Sequence, residues 1–238
     1  MAAHSARKVV LLDLDGTLTQ SDEGIQTCVK RAYDIMGYPR PTQQQLDTFI
    51  GPPIQESMAR YGVPANMLDR GIELYREGYN TPLFPDPLHP GRKVPGMYLN
   101  KVYDGIDDAL DKLRVAGYFL AVATCKPEPQ AKSIIEYFGL AGKLDGTWGA
   151  SLDNSRLHKD QVIRYCFDSI GFDAAAGDRA VMVGDRWTDA DGAHAVGLDC
   201  IGCEWGYAEP GELADHGVTV FAGHPSDLPS VIDGYFAE

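Results

Sequence analysis

The chain has 238 residues, 44% of them apolar, enough for one large domain or for a core domain with a smaller companion. Lys and Arg total 21 against 34 Asp and Glu, a formal charge of −13. That balance disfavours a nucleic-acid surface, because phosphate backbones are held by positive fields, but it leaves room for a phosphate-bearing substrate held by a local cation.

The amino terminus from Met1 to Arg7 leads into a first strand without the separate apolar stretch of a secretory signal. No run reaches the length of a membrane span. Five scattered cysteines are odd in number and do not read as a disulfide framework, so a reducing compartment is expected. Cys200 and Cys203 have C-x-x-C spacing but lack the second pair that a zinc site needs. A soluble, cytoplasmic protein is expected, a monomer or weak homodimer with no nucleic-acid or membrane partner.

In chain order, Val9 to Leu12 reads as a strand buried on both faces. Asp13-Leu14-Asp15-Gly16-Thr17 follows at once. Residues two apart in a strand share a face, so the two carboxylates are expected to converge at its carboxyl end, where a cation or shared proton must offset their repulsion. From about residue 22 to 97 the pattern turns helical, at Gly24–Met36, Thr42–Phe49, Ile54–Tyr61 and Met67–Tyr79, with glycine and proline between. A proline-rich passage with Pro82, Pro85, Pro87, Pro90 and Pro95 reads as a return linker, or as a short extra lobe.

Beyond Gly105 strand and helix alternate. Helices are expected at 106–115 and 162–170. Strands are expected at 118–124, 146–150 (the weaker one), 180–185, 198–202 and 218–221. Such alternation predicts a parallel sheet covered on both sides, and ligands of such sheets sit outside the carboxyl ends of the strands. Polar residues mark those ends in order: Asp13 and Asp15, then Thr124-Cys125-Lys126, then Lys159 opening the helix after the third strand, then Asp185. Each alone has a plain structural explanation, Thr124 as a helix cap, Lys159 as a solvated surface lysine and Asp185 as a turn residue. Their coincidence at successive strand ends favours a site.

The set resembles the four motifs of the haloacid dehalogenase-like phosphohydrolases: Asp13-Leu14-Asp15-Gly16-Thr17, Thr124, Lys159, and Gly184-Asp185-Arg186-Trp187-Thr188-Asp189. The helical insertion resembles the cap of the phosphoglycolate phosphatase-like branch. In such caps a loop like Gly51-Pro52-Pro53 faces the active site, although a simple interhelix turn explains it equally well. The resemblance implies an α/β fold: a Rossmann-like parallel sheet core with helices on both faces (residues 1–21 and 98–238) plus a small all-helical cap domain (22–97). It implies Mg²⁺ held by the carboxylates of Asp13 and Asp185 and the carbonyl of Asp15. Asp13 would be the nucleophile forming an aspartyl-phosphate and Asp15 the general acid and base, with Thr124 and Lys159 catalytic. Thr124, Cys125, Lys126, Lys159 and Arg156 would line the substrate side. Asp189 would stand behind the metal ligands or cap its helix, and Arg186 is a further candidate contact.

The expected function is a Mg²⁺-dependent phosphomonoesterase acting on small phosphorylated metabolites, phosphoglycolate phosphatase-like. The alternatives are a 5'-nucleotidase and a sugar phosphomutase. A dehalogenase has no use for a protonating Asp15, since halide leaves without a proton. A receiver module would place its phosphoacceptor after a later strand, and a silent binding protein would not need all four motifs.

Overall fold

The computed structural model describes residues 6–87, 89–153 and 155–237. The reading of the amino terminus rests largely on residues 1–5, outside the described residues. From the amino end the chain runs through β1 (Lys8–Leu12), β2 (Thr19–Gln20), α1 (Asp22–Met36), α2 (Gln43–Asp47), α3 (Ile54–Arg60), α4 (Leu68–Asn80), β3 (Phe84–Pro85), β4 (Lys93–Val94) and β5 (Lys101–Val102). It continues through α5 (Ile106–Val115), β6 (Phe119–Pro127), α6 (Glu128–Tyr137), β7 (Gly146–Ala150), α7 (Lys159–Ile170) and β8 (Arg179–Gly184). The last elements are α8 (Trp187–His194), β9 (Cys200–Cys203), α9 (Glu212–Asp215), β10 (Val220–Ala222) and α10 (Leu228–Ala237). The chain divides into two compact units, one from its start to Thr19 and from Val102 onward, the other Gln20–Lys101.

The first unit is a six-stranded sheet in the order β10-β9-β8-β1-β6-β7, with every pairing parallel. From β1 the chain winds outward through β6 and β7, then crosses back to β8 and winds the other way through β9 and β10. This doubly wound order reverses between β1 and β8, where the carboxyl ends open a crevice. β1 is apolar throughout Val9–Leu12 because both its faces are covered, and all four residues are fully buried. On one face Val9 and Leu11 pack with Ala121, Ala123 and Met182 against Val162, Ile163 and Cys166 of α7 and Ala190 and Ala193 of α8. α5 and α10, which touch each other, carry the buried Ile106, Leu110, Ile232 and Phe236.

Two expectations need correction. β6 continues three residues past Thr124, with a shift of register against β7 between Thr124 and Pro127. The proline-rich passage is more than a linker, because β3 and β4 pair in an antiparallel hairpin. Asp86 closes it: the buried carboxylate accepts the His89 backbone N–H at 3.2 Å and meets the His89 ring at 2.9 Å, while the Asp86 N–H donates to Arg92 O at 3.0 Å.

The second unit is built on α1 packed against α4, with α2 touching α1 and α3 touching α4. Gly78 of α4 allows the close approach, since a methyl group there would press on Cys28 Sγ at 3.3 Å. Thr42 caps α2, and its hydroxyl accepts the Gln45 N–H while Gln45 Oε1 accepts the Thr42 N–H. Gly51–Pro53 joins α2 to α3, with Pro53 at the N-cap of α3. Among the described residues no helix is long and apolar enough to cross a membrane.

Candidate active site

The parallel ladder extends one residue past β1, where the Asp13 N–H donates to Val183 O at 3.0 Å. The chain then folds into a tight turn, with the N–H groups of Leu18 and Thr19 donating to Leu14 O at 3.0 and 2.9 Å. β1 stops at Leu12, the acids lie in the turn, and each meets its own lysine. Gly16 is required twice over: its φ is +87°, and a Cβ there would overlap the Asp185 carboxylate.

Lys159, the first residue of α7, is buried rather than solvated, its side chain 2% exposed. Its Nζ donates to Asp13 Oδ1 at 2.7 Å and to Ala123 O at 2.8 Å, and it forms an ion pair with Asp189 Oδ1 at 2.7 Å. Burial alone would lower its pKa. The Asp13 and Asp189 carboxylates outweigh that and hold it above the usual lysine value.

Asp185, fully buried past the end of β8, accepts the Thr17 hydroxyl at Oδ1 (3.2 Å) and the Tyr207 N–H at Oδ2 (2.8 Å). Asp189 does two jobs. Its Oδ2 accepts the N–H groups of Asp185 (3.1 Å) and Arg186 (3.0 Å), closing the start of α8, while Oδ1 holds Lys159. Burial, reinforced by neighbouring carboxylates, pushes Asp185 well above the ordinary range, and burial likewise brings Asp189 to about 6.

These three buried acids, Asp13, Asp185 and Asp189, each offer an oxygen within 4.8 Å of the others. One ammonium cannot offset three buried carboxylates, and hard oxygen donors of this kind suit a small divalent cation. The Asp13, Asp185 and Asp189 carboxylates are the groups of this cluster that could hold such an ion.

The other expected residues are less uniform. Thr124 is buried and does not cap α6, whose N-cap is Pro127. Its Oγ1 accepts the Lys126 N–H at 3.2 Å instead. Lys126 reaches Asp15, with Nζ 2.7 Å from Oδ2. Cys125 is half-buried, and loss of solvation pushes its thiol up to about 12, leaving a neutral and poorly reactive group. Arg156 is committed elsewhere, donating to Gly149 O at 2.9 Å, approaching Glu128 at 3.4 Å and lying 3.7 Å over the Tyr165 ring. Arg186 pairs with Glu212 at 2.8 Å. Cys200 and Cys203 are buried in β9, where a three-residue offset turns their side chains to opposite faces.

Sequence reasoning missed the segment after β9. Trp205 Nε1 donates to Thr17 O at 3.1 Å, and Gly206 packs so tightly that a Cβ would overlap Asp185. Gly192 likewise lies against Lys159, and Gly184 against Asp189. The available signal was Trp205-Gly206-Tyr207 just past a strand whose neighbour β8 leads into Asp185.

The model of the haloacid dehalogenase-like hydrolase family matches residues 10–203. A 5'-nucleotidase of Pseudomonas aeruginosa is 34% identical over 95% of this chain and 96% of its own. The tyrosine-protein kinase PtkA of Mycobacterium tuberculosis is also 34% identical, over 93% of this chain but 70% of its own length. A phosphoglycolate phosphatase of Aliivibrio fischeri is 26% identical over 87% of this chain and 88% of its own. Among solved structures, a predicted phosphatase from Clostridium acetobutylicum superimposes with a TM-score of 0.83 at 34% identity, covering 97% of this chain and all of the other. The chain belongs to the haloacid dehalogenase-like hydrolase family and is an enzyme of its phosphatase group.

Proposed function

We propose that this protein is a Mg²⁺-dependent phosphomonoesterase of small phosphorylated metabolites that works through an aspartyl-phosphate on Asp13. The observation that supports it most is the buried Asp13–Lys159–Asp189 chain beside Asp185 at the carboxyl edge of the sheet. Asp13 and Asp185, with the Asp15 carbonyl, would hold the cation, which when bound supplies charge neutralisation for the phosphoryl oxygens. Lys159 keeps the Asp13 carboxylate oriented for attack on phosphorus, and Thr124 offers a hydroxyl to a phosphoryl oxygen. As the bond from phosphorus to the leaving oxygen breaks, Asp15 gives that oxygen a proton. Asp15 then takes a proton from the water whose attack on phosphorus releases Asp13.

Within this class a nucleoside monophosphate is the first substrate to test, because the 5'-nucleotidase relative is more similar over more of the chain than the phosphoglycolate phosphatase. The deciding experiment is a screen of nucleoside monophosphates, sugar phosphates and phosphoglycolate with Mg²⁺, scored for released phosphate. Release from none of them, with p-nitrophenyl phosphate also untouched, would refute the reading. Transfer of the phosphoryl group to a second hydroxyl in place of water would favour the mutase alternative.

A further inference from the structure

Two lysines serve the turn after β1, and only Lys159 has a place in the scheme above. Lys126 follows Thr124 in the stretch where β6 loses register with β7. The Lys126 N–H donates to Thr124 Oγ1, and the side chain is 5% exposed with its ammonium 2.7 Å from Asp15 Oδ2. The other oxygen of the same carboxylate, Oδ1, is buried and has no hydrogen-bond partner. A buried carboxylate oxygen left bare carries a desolvation cost unless a partner arrives during the working cycle.

We propose that Lys126 is a positioning residue. It clamps Oδ2 of Asp15 so that Oδ1 faces the leaving oxygen of the substrate, and it does not anchor the phosphate itself. This rests on the assignment of Asp15 as the group that protonates the leaving oxygen. In that step the proton passes from Asp15 to the leaving oxygen as the phosphorus–oxygen bond breaks, and the bonding electron pair stays on that oxygen. The resulting carboxylate remains paired with the Lys126 ammonium. A phosphate anchor would serve every phosphomonoester alike. A residue that aims the proton donor matters only where the leaving group needs a proton.

The test compares p-nitrophenyl phosphate, whose leaving group departs as a stable anion, with the similarly shaped phenyl phosphate, whose leaving group is more basic. With saturating Mg²⁺, Asp15→Asn and Lys126→Met should each lose kcat on phenyl phosphate by roughly tenfold more than on p-nitrophenyl phosphate, a fraction of the full effect of general acid catalysis. Lys126→Arg keeps the cation and should recover part of the loss, and it gives the same comparison if the methionine variant does not fold. In the double variant, Lys126→Met should add little to Asp15→Asn, because the lysine acts through that carboxylate. Equal losses on both substrates in Lys126→Met, or losses that multiply in the double variant, would overturn the proposal. Equal losses in Asp15→Asn would instead overturn the role of Asp15, so the two failures are distinguishable.

Discussion

The residue that ties this site together is Lys159, whose ammonium donates to Asp13 and to a strand carbonyl and pairs with the Asp189 carboxylate. Removing Asp13 from that arrangement takes away the proposed nucleophile while leaving Lys159 its other partners. Asp13→Asn should therefore abolish turnover with the circular dichroism spectrum unchanged. More than a few per cent of residual activity would contradict the nucleophile assignment. A second residue-scale expectation concerns Glu212. Burial pulls its pKa up, but the Arg186 guanidinium and the N–H groups of Trp187 and Glu209 outweigh burial and leave it below the ordinary glutamate value. A depressed carboxyl stabilises the fold above its unfolded pKa and loses that contribution as pH falls through the folded one. Glu212→Gln should cost roughly 1–3 kcal/mol at pH 7, as expected for hydrogen bonds to a charged group. Urea melts should show the difference shrinking in the acid range below the ordinary glutamate pKa. A gap independent of pH would refute the assignment.

At the scale of elements, the segment after β9 behaves as a wall for the acids. Trp205 is tied to the motif turn through Thr17 O, Tyr207 donates its N–H to Asp185, and Gly206 between them leaves no space for a methyl group. Gly206→Ala must displace either the segment or the Asp185 carboxylate. Metal affinity measured by calorimetry should fall by roughly 10- to 100-fold, the usual cost of disturbing groups that orient a metal ligand. Unchanged affinity in a folded variant would mean that the wall gives way and the ligand does not depend on it.

At the scale of the whole molecule, the doubly wound order brings residues from four separate stretches of chain, at the carboxyl ends of β1, β6, β7 and β8, to one edge of the sheet. The edge is acidic and buried, so a divalent cation that binds the folded chain and not the unfolded one should raise its melting temperature, the shift rising with the logarithm of its concentration above Kd. Mg²⁺ should therefore stabilise the wild-type protein and chelator reverse the shift. Asp185→Asn should melt at a temperature insensitive to Mg²⁺. A shift of equal size in that variant would place the ion elsewhere.

The alternation of elements and the acids near the strand ends follow from local sequence. Burial on both faces leaves β1 as an unbroken apolar run, and a phosphate-handling edge needs carboxylates, a hydroxyl and a lysine after successive strands. Local sequence also carried the helical character of residues 22–80, since amphipathic spacing and glycine breaks are local properties. Other features depended on the tertiary structure, because they arise between segments far apart in the chain. The resemblance puts Lys126 on the substrate side, and folding brings its cation to Asp15, 111 positions away. The resemblance puts Arg156 on the substrate side, while the fold gives its guanidinium Gly149, Glu128 and Tyr165 as partners. The choice for Asp189 between cap and metal support dissolved for the same reason: a carboxylate has two oxygens, and folding gives one to α8 and the other to Lys159.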